Sequence, residues 1–128
     1  MKLKFQENIE KIKNCPSRNE QGEKELFRCV ESKLTEKSFQ PQAVLLKPKY
    51  QDMCMAWGLS VFSSFDSANQ MLKNLSKNKR VNYSKIAHGV VRDNDGVKYG
   101  GANKKHYTFF PSEEFNLVKN FEIVNSND

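Results

Sequence analysis

The stretch 54–62, CMAWGLSVF, constrains this chain more than any other. It is the most apolar run in a sequence of 128 residues whose hydrophobic fraction is only 38% and whose mean hydropathy is −0.75. It carries the single tryptophan, Trp57, and closes on the strand-like L-S-V-F. A run of this kind must be buried, which makes it the expected central strand of one small domain. Gly58 within it marks a bulge or a close backbone approach. Nine Phe, four Tyr and one Trp offset the shortage of aliphatic residues, because each ring buries a large area.

The surrounding elements follow from periodicity. Residues 3–14 place Phe5, Ile9 and Ile12 on one narrow helical stripe, and Pro16 ends it. The polar stretch 15–24 reads as a linker. Residues 25–31, ELFRCVE, form a first strand with Leu26, Arg28 and Val30 on one face and Phe27 and Cys29 on the other. Residues 33–49 form a long irregular connection, in which Pro41 pushes Gln40 into extended backbone. A helix from about 66 to 79 presents Ala68, Met71, Leu72 and Leu75 together. Residues 85–92 read as a strand, and the D-N-D-G turn at 93–96 predicts a hairpin into a returning strand. His106 to Phe110, HYTFF, is a further strand, Ser112 caps a short helix from Glu113, and residues 120–124 are a last strand. The expected architecture is α+β: an N-terminal helix and linker over 1–24, a mainly antiparallel twisted sheet with one internal helix over 25–124, and a frayed tail over 125–128.

Charge and cysteine usage bound the function classes. The net charge of +6 admits nucleic acid, phosphate or an acidic partner. Three cysteines, Cys15, Cys29 and Cys54, are odd in number, widely spaced and without C-x-x-C. With no signal-peptide pattern and no run near the ~18 apolar residues of a membrane span, the expectation is a cytoplasmic chain with reduced thiols and no membrane association.

The common phosphate loops are absent from the sequence, and the Cys and His spacings fit no zinc cluster. Gly58-Leu59-Ser60 lacks the second glycine of a nucleophile elbow. A dispersed polar set remains: Arg28, Ser38, Ser60, His88, His106, Tyr107, Glu113 and Glu122. The two histidines, each on an expected strand, could meet across a sheet. Lys73, Lys77, Lys79, Arg80 and Lys85 form a basic cluster that Lys98, Lys104 and Lys105 could join in space, with Tyr83 and Tyr99 as stacking rings.

In order, the chain carries F-R-C-V at 27–30, S-F-Q-P at 38–41, G-L-S-V at 58–61, A-H-G-V at 87–90 and H-Y-T-F-F-P at 106–111. This order resembles a group of small bacterial proteins sharing an R-x-V strand, an S-x-F-x-P segment and a G-L-S-V strand. More distantly it is similar to RES-type and other ADP-ribosyltransferase-like domains. That resemblance implies an NAD site in which Arg28 holds phosphates, Ser60 supports the nicotinamide, His88, His106 and Tyr107 stand near the cofactor, and Glu122 or Glu113 steers the nucleophile. Neither glutamate sits in a motif of that family.

Three functions are therefore expected, in this order. The first is an accessory or interaction protein without catalysis. The second is an NAD-consuming transferase or hydrolase of toxin type, which requires Arg28, Ser60 and an acid to converge on one pocket. The third is nucleic-acid binding through the Lys73 to Lys85 cluster.

Overall fold

The computed structural model describes residues 1–75, 77 and 82–124. Six strands form one antiparallel sheet: β1 (Lys24–Val30), β2 (Leu59–Phe62), β3 (Lys85–Val91), β4 (Gly96–Gly100), β5 (His106–Pro111) and β6 (Phe121–Val124), in the order β4-β5-β2-β1-β3-β6. The helices are α1 (Gln6–Ile9), α2 (Gln42–Leu45), α3 (Phe65–Leu75) and α4 (Leu117–Asn120), with 3-10 turns at Glu36–Phe39, Cys54–Trp57 and Asp93–Asp95. This is a single small α+β domain.

The sheet curls. Three strands lie between β3 and β4 in the sheet order, yet only residues 92–95 join them. The D-N-D-G turn therefore does not make a hairpin: β4 pairs with β5, and β3 pairs with β1 and β6. The free edge of β4 is taken by the chain entering β1. Glu20 N–H donates to the Lys98 carbonyl at 2.8 Å, Lys98 N–H donates to Asn19 Oδ1 at 3.1 Å, and Gly100 N–H donates to the Glu20 carboxylate. The stretch expected to be a linker thus covers a sheet edge that would otherwise present unpaired donors and acceptors. Gly96 makes the corner at φ 153°, where a Cβ would stand 2.3 Å from the Phe110 carbonyl oxygen.

The two faces of the sheet have different covers. The inner face gathers Leu26, Val30, Leu59, Val61, Ala87, Val91 and Phe109, closed by Phe39, Phe115 and Leu117. The outer face has two separate layers. At one end α3 packs Ala68 and Leu72 on Phe62 and Ile86. At the other, Leu3, Ile9, Ala43, Ala56, Trp57 and Phe110 form a second core.

That second core corrects several expectations. Cys54–Trp57 is a 3-10 turn, so only Leu59–Phe62 of the apolar run is a strand, although it does lie inside the sheet. Gly58 is a close approach: a Cβ there would meet Thr108 Cγ2 at 2.5 Å. The N-terminal helix is one turn, since Leu3 is bridged to Ser112 and Phe5 turns the chain at φ 63°. Ile9 and Ile12 still face the domain. Cys15 and Cys54 form a disulfide across 39 residues, so these two thiols are not reduced; Cys29 is free and buried. No helix starts at Glu113; α4 begins at Leu117, where Asn116 Oδ1 accepts from Lys119 N–H. The expected helix 66–79 is described as Phe65–Leu75, with Ser64 Oγ accepting from Ser67 N–H, and the expected tail lies outside the described residues.

Candidate functional site

Strand alternation decides where each candidate side chain goes. Arg28 alternates with Leu26 and Val30 and enters the inner core, only 7% exposed. Its Nε donates to the Ser38 carbonyl at 2.9 Å and its Nη1 to the Ser60 carbonyl at 2.8 Å. The β1–β2 seam has one registered pair, Phe27 with Phe62. Arg28 therefore ties together two carbonyls beside a thin part of the ladder. Two of its donors are thus committed to backbone carbonyls, which offsets part of the cost of burying the guanidinium.

Ser60 sits between buried Leu59 and Val61 and points to the opposite face, where it is exposed. Its hydroxyl lies 2.6 Å from Nε2 of His106 on the neighbouring strand β5. The His106 ring packs edge-on against Phe62, and burial pushes its pKa below the usual imidazole value, favouring the neutral ring. Tyr107, the next residue, faces inward and is buried.

The remaining candidates lie apart. His88 is on β3, separated from β5 by β1 and β2, so the two histidines do not meet. Its ring is 4.8 Å from Phe27, and its Nε2 is 3.3 Å from the Glu25 carboxylate without hydrogen-bond geometry. Glu122, on edge strand β6, is exposed opposite His88. Glu113 is exposed and pairs with Lys2 at 3.5 Å. Ser38 is buried, its Oγ accepting from Thr35 N–H. Arg28, Ser60 and an acid thus do not share a pocket.

The basic cluster is only partly described: Lys73, Lys77 and Lys85 are exposed, while Lys79 and Arg80 lie outside the described residues. Lys98 cannot join them. It is fully buried, with Nζ donating to Asp93 Oδ1 at 2.9 Å and to the Glu20 carbonyl at 3.0 Å. Tyr99 stacks on Phe110 and lies under Arg18, whose Nη2 donates to the Gly100 carbonyl.

On the outer face, beside β4 and β5, opens a cleft of about 320 Å³, with Arg18, Met55, Tyr99, Gly101, His106 and Thr108 on its walls. Ser60 reaches it through His106. Met55 also belongs to a second feature that sequence periodicity missed. Five of the nine exposed large hydrophobic side chains among the described residues, Leu45, Leu46, Tyr50, Met53 and Met55, fall within 45–55. This segment is held from several sides: the Cys15–Cys54 disulfide, Trp57 Nε1 donating to the Gln51 carbonyl at 2.8 Å, and Gln51 Nε2 donating to the Ala43 carbonyl at 2.7 Å. A second cleft, of about 440 Å³, opens between Glu36, Phe39 and Leu117.

Among the described residues no cluster of three or more His, Cys, Asp or Glu could hold a metal, and no helix is long and apolar enough to cross a membrane. No family model, no curated protein and no solved structure matches the chain.

Proposed function

We propose that this protein is an accessory interaction module that docks a protein partner through the 45–55 surface. The observation that carries this reading is the set of five exposed apolar side chains on a segment anchored by a disulfide and three side-chain hydrogen bonds. Apolar side chains free to collapse would fold onto the domain; these are held outward, as in a preorganised contact surface. Methionine and tyrosine are the residue types such surfaces favour. Lys47 and Lys49 lie within the same segment and are exposed, which suits a partner with an acidic rim.

The NAD-transferase reading has less support. Arg28 is committed to two backbone carbonyls, one of them that of Ser60, while the Ser60 hydroxyl points to the opposite face and Glu122 lies on the far edge strand β6. The disulfide also favours an oxidising compartment over the cytoplasm.

The test is photo-crosslinking in cells with photo-methionine, which reports from Met53 and Met55 on this surface and from the exposed Met1 and Met71 outside it. A discrete adduct that is lost in a Leu46→Glu/Met53→Glu double variant, and kept in a Lys73→Glu control, supports the docking surface. An adduct pattern unchanged by the double variant removes it. A thermal-shift titration with NAD, which this reading expects to be flat, separates it from the transferase reading.

A further inference from the structure

The outer cleft holds chemistry that docking does not need. A serine in mid-strand is usually solvated, yet Ser60 is aligned with an imidazole at 2.6 Å. Several features fit this pair to reaction. The hydroxyl is exposed, so an electrophile can reach it. The nitrogen that faces it is Nε2, and burial favours the neutral imidazole that can take a proton. The cleft beside it offers an apolar wall, Met55 and Tyr99, and a cation, Arg18, held in place by Gly100 and Tyr99. The cysteine outside the disulfide, Cys29, is closed off: burial pushes its thiol up to about 11, and its Sγ donates to the Ala68 carbonyl.

We infer that Ser60 is a nucleophile that His106 assists, reacting with activated acyl esters whose acyl group is apolar and whose leaving group is anionic. In the acylation step Ser60 Oγ attacks the carbonyl carbon and the hydroxyl proton passes to His106 Nε2. The bond from carbonyl carbon to leaving-group oxygen then breaks, and the proton goes to the departing oxygen or to solvent. Water then attacks the acyl carbon and passes a proton to His106 Nε2; the bond from acyl carbon to Ser60 Oγ breaks, Oγ takes up that proton, and the carboxylic acid leaves. Among the described residues no carboxylate partners the His106 Nδ1, so nothing acidic orients the ring or stabilises its cation, and reaction is slow compared with a complete triad. This inference is independent of the docking surface, and either can fail alone.

The test uses the full chain with a fluorophosphonate probe, which reacts at phosphorus with loss of fluoride in the same sense. The expected result is one adduct per chain, mapped to Ser60 by mass spectrometry. Ser60→Ala removes it, and His106→Gln slows it at least about 100-fold. Ser63→Ala leaves it unchanged, because the Ser63 hydroxyl is engaged by the Lys104 carbonyl at 3.0 Å. Circular dichroism confirms that each variant is folded. Labelling no faster than in the urea-unfolded chain, an adduct that persists in Ser60→Ala, or a rate unmoved in His106→Gln would each overturn the inference.

Discussion

The two faces of the sheet handle polar groups in opposite ways. Inside the curl, Arg28 and Lys98 are buried cations, and their hydrogen bonds end on backbone carbonyls and one aspartate. Outside, Ser60 and His106 bond to each other beside an open cleft, next to apolar side chains held into solvent. A buried charge tied to such acceptors serves the fold, because leaving it unpaired would cost too much. An exposed pair gains little stability from its bond and keeps its chemistry available. Residue type alone therefore misleads: the arginine that looks most like a ligand group is a structural tie.

The largest effect expected from breaking this contrast is on the inner face. Arg28→Ala leaves a cavity and two carbonyls short of donors, and should lower unfolding free energy by about 4 kcal/mol in urea denaturation. A loss below about 1 kcal/mol would mean that Arg28 is not a tie. On the outer face, Cys15→Ser/Cys54→Ser releases the constraint across 39 residues and should cost about 3 kcal/mol. Amide exchange should then rise in residues 1–17 and 45–57 while β1 and β3 stay protected; uniform loss of protection would contradict the two-layer account. Gly58→Ala should cost about 2 kcal/mol by crowding Thr108 and Phe110.

A smaller effect sharpens the comparison through pH. The Asp93 carboxyl is held below its ordinary value first by Lys98 and then by the Gly22 N–H, and Glu20 first by the Gly100 N–H, with Lys104 also lowering it. A carboxylate with a lowered folded pKa contributes stability above its unfolded value and loses it as pH falls through the folded one. The urea midpoint should therefore drop as pH falls below about 4, with a shallower drop in Asp93→Asn. Equal slopes would detach the edge closure from these acids. The least change in stability, under about 0.5 kcal/mol, is expected for Leu46→Glu, whose side chain is already in water.

Much of this was legible in the sequence, for physical reasons that differ by element. The alternation of β1 placed Arg28 with Leu26 and Val30, and the 3.6-residue period marked α3. What failed was non-local. D-N-D-G is a local turn preference, whereas pairing was decided by the curl and by residues 19–22, which carry no strand pattern. Cys54, Ala56 and Trp57 are apolar because they pack into the second core, and a short apolar run does not declare its backbone. The disulfide was hidden by an odd cysteine count. Ser60 and His106 were both candidates, but their meeting depends on the β2–β5 register, which no single strand encodes.

Lysine reactivity in the native chain tests the central contrast most directly. Acetic anhydride at limiting dose, read by mass spectrometry, should modify Lys47 and Lys49, which are exposed, and leave Lys98, at 0% exposure, untouched until the protein is unfolded. Acetylation of Lys98 at the rate of Lys47 in folded protein would contradict a closed inner face and the structural role assigned to its cations.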